Sequence, residues 1–193
     1  MSLNSFYISR CEITQAQWRF VMGSNPSLFF NGRDNYPIEN ISAEDVKEFL
    51  IRLNSLTGKK YRLPTEGEWE FAARGGKKKN KYVYSGSRDI DKVAFYRRNS
   101  EFETHPVAQK TPNKLGLYDM SGNVWEWCSD WYSDPYYAND GSNENPKGPS
   151  KGNVWVMRGG SWSTDPTQCR VSARATGVPD LRLGNIGFRL VRD

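Results

Sequence analysis

The chain has 193 residues, of which 25% are charged and 13% are aromatic, and its formal net charge is +5. This length suffices for one domain with its own core, and the aromatic content is too high for a disordered segment. No apolar run approaches the roughly 20 residues that a membrane-spanning helix needs. Three cysteines permit at most one disulfide, so the fold is not that of a disulfide scaffold.

The positive charge does not by itself indicate a nucleic-acid partner. The densest basic run is Lys77–Lys81, and the other basic residues are dispersed among 22 acids without any nucleic-acid-binding motif. A solvated loop explains this run better, and we expect no nucleic-acid partner. His105 is the single histidine, which excludes HExxH and multi-histidine metal sites.

The first third of the chain predicts one strand and two helices. The strand is Phe6–Ile8, and the first helix is Gln15–Met22, which follows Thr14 as a capping residue. In Ser42–Leu56, apolar residues recur at helical spacing, the first residue is placed to cap the helix, and Gly58 follows as a stop. This pattern predicts a long amphipathic helix.

A second strand and a third helix are predicted next. The strand is Tyr61–Leu63. Thr65 and Glu68 have the spacing of a capping box and open a helix that ends at Gly75. No further long helix is indicated after this point.

The remaining half of the chain is rich in turn residues that separate short aromatic or β-branched runs. Predicted strands are Val154–Arg158, Arg170–Arg174 and Ile186–Val191. Long irregular segments at Ser133–Gly152 and Thr176–Asn185 are typical of functional loops. The pattern as a whole predicts one α+β domain.

Three segments of the chain are too distinctive to follow from composition. They are Lys60–Gly76, Gly116–Trp127, and Arg158–Trp162 paired with Gly187–Leu190. In order and spacing they resemble the formylglycine-generating enzyme family, also called the sulfatase-modifying factor family. The resemblance covers Phe6 to Arg192.

This resemblance implies a fold and a domain organisation. The expected fold is a variant of the C-type lectin fold, with few helices, short mixed or antiparallel strands and much irregular loop. One domain is expected over residues 1–193. Family members often carry an opening segment before the first strand, so we expect this chain to be trimmed at its N-terminus. Its first residues lack the basic and apolar regions of a signal peptide, so we expect none in this chain, and cytoplasmic and exported locations both stay open.

The family enzyme oxidises a cysteine in Cys-x-Pro-x-Arg peptides to formylglycine, using dioxygen and a copper(I) ion held by two cysteines. At the matching positions this chain has Thr164 and Cys169. A threonine hydroxyl is a hard, neutral donor and cannot replace a thiolate on soft Cu(I). Asp165 stands where the family has an active-site histidine. An active oxidase, the alternative interpretation, would rely on Cys169 with Ser161 and Trp125, which match active-site positions in the family.

These matches also have a structural interpretation. Ser161 and Trp125 belong to motifs that non-enzymatic relatives share, and Cys169 is compatible with a buried, inert thiol. We expect Trp125, Trp127, Trp131 and Trp162 to contribute to an aromatic core, each with a partner for its indole N–H.

The segment Asp119–Glu126 predicts a cation site. In the family this element binds calcium, and the four matching positions are Asp119, Gly122, Val124 and Glu126. Two carboxylates and backbone oxygens suit a hard cation such as Ca²⁺, which would have a structural role. The alternative is a Gly-Asn turn flanked by acids.

The leading functional hypothesis is a non-catalytic domain that binds a protein, peptide or glycan through its C-terminal loops. This region also resembles variable proteins diversified by retroelements, whose lectin-like scaffold carries randomised surface positions. A solvated surface without a ligand is the alternative, and we expect a monomer. The candidate ligand-binding residues combine aromatic and polar groups suited to recognition: Trp162, Ser163, Thr164, Asp165, Thr167, Gln168, Arg170, Arg174, Asp180 and Arg182.

Overall fold

The computed structural model describes residues 2–30, 32–78, 81–134, 136 and 144–193. Part of the predicted 133–152 loop and of the basic run at 77–81 therefore lies outside the described residues. Within them, no helix is long and apolar enough to cross a membrane. The helices are α1 (Gln15–Met22), α2 (Ala43–Thr57) and α3 (Glu66–Ala73). The strands are β1 (Tyr7–Ile8), β2 (Tyr61–Arg62), β3 (Trp125–Trp131), β4 (Trp155–Arg158), β5 (Arg174–Gly177), β6 (Ile186–Gly187) and β7 (Val191–Arg192).

All three helix predictions are confirmed, and the same local device starts each helix. Thr14, Ser42 and Thr65 accept a hydrogen bond from the backbone N–H three residues later, and the side chain at that position accepts one from the capping residue's N–H. This capping box satisfies donors that the helix itself cannot pair. α1 and α2 then end at glycines in the left-handed conformation, Gly23 and Gly58.

The strand predictions are confirmed in part. β1, β2 and β4 lie where we expected them, each slightly shorter. The predicted strand Arg170–Arg174 is wrong, because a 3₁₀ turn at Pro166–Cys169 and a further turn precede β5, which starts at Arg174. Ile186–Val191 is divided between β6 and β7, which belong to different sheets.

β3, the longest strand described, was not predicted. Its burial does not alternate, because both faces are covered over its first four residues. Its pairing with β4 also shifts in register between Trp127 and Trp131. A strand buried on both faces and interrupted by an irregularity lacks the alternation that identifies a strand in sequence.

The strands form two small sheets. One has the order β1-β7-β2 and is antiparallel, and the other has the order β5-β4-β3-β6, in which β3 and β6 run parallel. β6 and β7 are separated by only three residues, so the two sheets are linked closely. The α+β fold class with few helices and mixed short strands is confirmed.

The main core lies between α1, α2 and the two sheets. Trp18 stacks on Phe49 with ring centroids 5.1 Å apart, and Phe188 packs edge-on against both rings. Trp125 and Trp127 belong to the same cluster as predicted, whereas Trp162 lies outside it. Burial of each large apolar side chain contributes about 1.5–3 kcal/mol, so these aromatic contacts dominate the core.

Candidate functional site

The three distinctive segments of the sequence meet at one fully buried ion pair. The Glu126 carboxylate on β3 receives two hydrogen bonds from the Arg189 guanidinium, at 2.6 and 2.7 Å, and one from the Trp69 indole N–H at 2.7 Å. Glu126 and Arg189 have no exposed surface. A charged pair this deep is tolerated because its hydrogen bonds replace those of water.

Two more buried acids surround this pair. Burial, together with the carboxylates of Asp119 and Glu126, raises the pKa of Glu12 well above its usual range, and burial raises the pKa of Asp119 to about 6. Arg189 is the cation acting on both carboxyl groups. We call Glu12, Asp119, Glu126 and Arg189 the acidic cluster, and three acids against one guanidinium leave it short of positive charge.

Of the predicted calcium residues, Glu126 is already engaged by the protein. Its two oxygens accept three N–H hydrogen bonds, so an ion would have to share this carboxylate with Arg189 and Trp69. One oxygen of Asp119 accepts from the Ala108 N–H at 2.7 Å. Among the described residues, no three His, Cys, Asp or Glu side chains are arranged to hold a metal. Calcium in this loop stays a prediction at Asp119, Gly122, Val124 and Glu126.

The Gly-Asn turn of the alternative interpretation is present in the same loop. Gly122 and Asn123 both have positive φ angles, of 84° and 61°. The Asn123 carboxamide accepts from the His105 N–H at 3.0 Å and donates toward Glu12 at 3.2 Å. The loop is therefore fixed by its own side chains beside the acidic cluster.

The two positions that match the copper ligands of the resembled family hold one thiol, Cys169, and one hydroxyl, Thr164. Thr164 Oγ1 lies 3.4 Å from Cys169 Sγ, so these side chains are neighbours. The hydroxyl also accepts from the Ser161 N–H at 2.9 Å and donates to the Ser161 carbonyl at 3.0 Å. All three cysteines of the chain are free, and Cys128 is buried in a smaller apolar cluster with Trp69, Met120 and Val156. This donor set does not fit Cu(I), which needs soft thiolates.

Burial raises the pKa of Cys169 to about 11. At pH 8 about one Cys169 thiol in a thousand is then ionised in the folded protein. Because the thiolate is the reactive form, we expect native Cys169 to react with iodoacetamide more than about 100-fold more slowly than Cys169 in the unfolded chain. Mass spectrometry of the labelled peptide measures this ratio. Equal labelling of native and unfolded protein would show an activated thiol instead.

Ser161 and Trp125, the other family active-site positions, are brought together by Asn185. The backbone N–H of Trp125 donates a hydrogen bond to the backbone carbonyl of Asn185 at 2.8 Å. The Asn185 side-chain amide donates to the Ser163 hydroxyl at 2.8 Å, and Ser163 lies 3.1 Å from the Ser161 hydroxyl. The carboxamide oxygen of Asn185 is buried and has no hydrogen-bond partner among the residues that the structure describes. Sequence analysis missed Asn185, although it directly precedes the Ile-Gly-Phe-Arg motif.

Two of the predicted ligand-binding residues have side chains that make contacts within the fold. Thr164 is only 8% exposed and is bound to its own turn. Arg174 forms an ion pair with Glu66 on α3, with N–O distances of 2.6 and 2.8 Å, and its guanidinium lies over the Tyr132 ring. Both side chains are therefore engaged within the fold, and ligand binding by Thr164 and Arg174 stays a prediction.

The other predicted residues lie at the surface on two neighbouring segments, which we call the late-loop surface. Trp162 and Ser163 are half-buried. Trp162 packs edge-on against Phe29, and its indole N–H donates to the Gly184 carbonyl at 2.8 Å. The exposed members of the surface are Asp165, Thr167, Gln168, Arg170, Asp180 and Arg182.

The second segment of this surface is held by α2. Arg182 makes two 2.7 Å hydrogen bonds to Asp45, and the Ala43 N–H donates to the Pro179 carbonyl at 3.0 Å. Exposed Leu183 lies beside this contact, since its carbonyl accepts from the Asn40 N–H. The loop thus presents its side chains from a fixed backbone.

Comparison with known proteins agrees with the motifs and the fold. The sulfatase-modifying factor enzyme 1-like domain matches residues 1–193. The chain belongs to this family. The formylglycine-generating enzyme of Streptomyces coelicolor is 38% identical over 197 residues, which cover 94% of this chain and 60% of that protein. The chaperone protein LppX of Paenibacillus barcinonensis is 33% identical, with 89% of this chain and 74% of that protein covered.

A solved structure is also similar over nearly the whole chain. Treponema denticola variable protein 1 superposes with a TM-score of 0.91 at 31% identity, covering 99% of this chain and 85% of that one. The chain spans about 60% of the length of the Streptomyces enzyme, so the enzyme includes regions that have no counterpart here. Relatives and structural neighbours of this chain therefore carry different names, so similarity alone does not assign an activity.

Proposed function

We propose that this domain is a non-catalytic member of its family that binds a protein, peptide or glycan through the late-loop surface. The observation that carries the proposal is the contact between Thr164 and Cys169, in which a hydroxyl occupies the position of the first copper ligand. Without a second thiolate, the family oxidation has no Cu(I) site. The hydroxyl at this position leaves the fold and the late-loop surface in place.

The make-up of the late-loop surface supports a binding role. Half-buried Trp162 is a rigid aromatic group, and exposed charged and amide side chains lie on the same two segments of chain. Aromatic anchors with adaptable hydrogen-bonding neighbours are typical of binding surfaces built on loops. The backbone beneath is held by Asp45 and by Gly184, so little conformational entropy is lost on binding.

We further propose that this surface is diversified, as in retroelement-driven variable proteins. The similarity to Treponema denticola variable protein 1 across 99% of the chain supports this. The test is sequencing of the surrounding locus in several isolates. Adenine-dependent differences from a nearby template repeat should fall on codons of exposed residues such as Gln168 and Arg170. Differences spread equally over buried Cys169 and Val171, or the absence of a repeat, would contradict diversification.

Binding by the late-loop surface is tested with selected ligands. We would select binders of the unmodified protein from a random displayed peptide library and from a glycan array. Because their side chains are exposed, changing Thr167, Gln168 and Arg170 together to alanine should weaken these binders by about ten-fold or more without unfolding the protein. The matched control is Arg52→Ala on α2. Equal binding by both variants would contradict the proposal.

A copper-dependent formylglycine-generating oxidase is the second candidate function. The 38% identity to the Streptomyces enzyme favours it. It would need Cys169 to act without a paired thiolate, with Ser161 and Trp125 at the peptide site. The raised pKa of Cys169 and its hydroxyl neighbour oppose this chemistry.

Calcium is the cofactor we propose for the loop beside the acidic cluster. Its charge would offset the excess of buried carboxylates, with Asp119 as the side-chain ligand. We expect EGTA to lower the melting temperature of protein purified with calcium by several degrees, because an ion at 100 times its Kd stabilises the folded state by about 2.7 kcal/mol. Asp119→Asn should remove this response. Melting curves that coincide with and without EGTA would rule the ion out.

A further inference from the structure

A second surface lies on the side of the molecule formed by α1 and α2. The two helices and the β1-β7-β2 sheet border a groove of about 420 Å³. It is separate from the late-loop surface, because none of the late-loop residues lines it. The lining residues are Ile13, Ala16, Gln17, Phe20, Val21, Phe49, Leu53, Tyr61 and Leu190.

The groove is apolar and one of its walls is open to solvent. Phe20 on α1 is 83% exposed, although Phe49 and Ile13 beside it are part of the core. Leu56, one turn beyond Leu53 on α2, is also largely exposed. Single exposed apolar residues are common, but a concave apolar surface that continues into the core marks a binding site.

Three cations adjoin Tyr61, one of the residues that line the groove. Lys59 and Lys60 directly precede Tyr61, and Arg192 on β7 pairs with Tyr61 across the sheet. None of these three cations makes an ion pair within the part of the chain that the structure describes.

The acids that adjoin the groove residues or Arg192 in sequence are engaged elsewhere. Glu48 on α2 is paired with Arg52 at 2.7 Å, and Asp193 is paired with Arg62. Glu12, which precedes Ile13 of the groove, is buried in the acidic cluster. A partner therefore meets apolar side chains in the groove and, beside Tyr61, cations that make no ion pair among the described residues; one of them, Arg192, lies over the Tyr7 ring at 5.0 Å.

We propose that this groove binds a segment of another protein in which apolar side chains are flanked by acidic residues. The apolar side chains fill the space between Phe20 and Leu53, and the acids face Lys59, Lys60 and Arg192. Burial of the apolar groups provides affinity, and the charges set the orientation of the segment and the rate of encounter. This binding is independent of the late-loop surface.

The test is a selection from a random displayed peptide library on the unmodified protein, with counter-selection on Phe20→Asp. This change leaves the core intact, because Phe20 is mostly exposed, and Phe102→Asp is the control for an exposed phenylalanine elsewhere. The expected result is a set of peptides that combine apolar anchors with an excess of Asp and Glu. They should bind Phe20→Asp at least about ten-fold more weakly than Phe102→Asp.

A charge reversal at Lys59 and Lys60, both to glutamate, keeps the proposal testable if Phe20→Asp does not fold. The selected peptides should lose about ten-fold in affinity for this variant, and the loss should shrink at high salt. Selection of basic or uncharged peptides, or of none that depend on the groove, would overturn the proposal. Sedimentation showing a dimer that Phe20→Asp dissociates would also overturn it, because the occupant would then be a second copy.

Discussion

Arg189→Met should lower the free energy of unfolding by about 3–5 kcal/mol, because it leaves the buried Glu126 carboxylate without its counter-ion. The guanidinium also donates to the carbonyls of Ser9 and Tyr118, at 3.2 and 2.9 Å, and these acceptors lose their partner. Domains of this kind are stable by about 5–15 kcal/mol, so the loss is a large part of the total. Urea unfolding followed by tryptophan fluorescence measures it.

The matched control for this change is Arg182→Met. Arg182 also makes a two-fold contact with a carboxylate, that of Asp45, but at the surface. Water solvates the Asp45 carboxylate when that contact is lost, so we expect little change in stability. If both variants unfolded at the same urea concentration, the buried Glu126–Arg189 pair would not be what stabilises the packing of the three distinctive segments.

Gly122→Ala should prevent stable folding or cost more than about 4 kcal/mol. An added Cβ would lie 2.2 Å from the Phe95 carbonyl oxygen, which is backbone and cannot rotate away. The φ angle of Gly122 is also 84°, a conformation that side chains disfavour. Soluble yield and the urea midpoint report the effect.

The variant Gly116→Ala separates the effect of the positive φ angle from the effect of the close backbone contact. Gly116 has a φ of 75°, but nothing lies within 4 Å of an added Cβ. This variant should therefore cost only about 1–2 kcal/mol, the penalty of the left-handed conformation alone. An equal loss in both variants would mean that the close approach of the Phe95 backbone does not occur.

The helices were predictable because their signals are local. A capping residue, the acceptor three positions later and a glycine at the end lie within one stretch of chain, as in α2 with Ser42 and Gly58. The capping boxes form as the sequence indicates, since their hydrogen bonds need no distant partner. The three distinctive segments likewise identified the family and its fold.

The sheets and the site were less predictable because their contacts are long-range. β3 was missed because its first four residues are buried on both faces, and its pairing depends on β4 and β6. Arg174 looked like a surface residue, but Glu66 on another element holds it. A sequence pattern shows which residues are polar, not which of them already have a partner.

The change Thr164→Cys provides the comparison for catalysis. The hydroxyl of Thr164 lies 3.4 Å from Cys169 Sγ, so a cysteine there would place two sulfurs beside one ion. With a thiol reductant present, this variant can bind Cu(I) through paired thiolates. Copper bound per chain, measured for both proteins, should therefore be higher for the variant.

The deciding measurement is mass spectrometry of a Cys-x-Pro-x-Arg peptide after incubation with the unmodified protein, Cu(I), dioxygen and a thiol reductant. A non-catalytic binding domain leaves the peptide cysteine unoxidised, and we expect no aldehyde product. Formylglycine formed by the unmodified protein, and lost in Cys169→Ser, would contradict this and show an oxidase that works with a single cysteine.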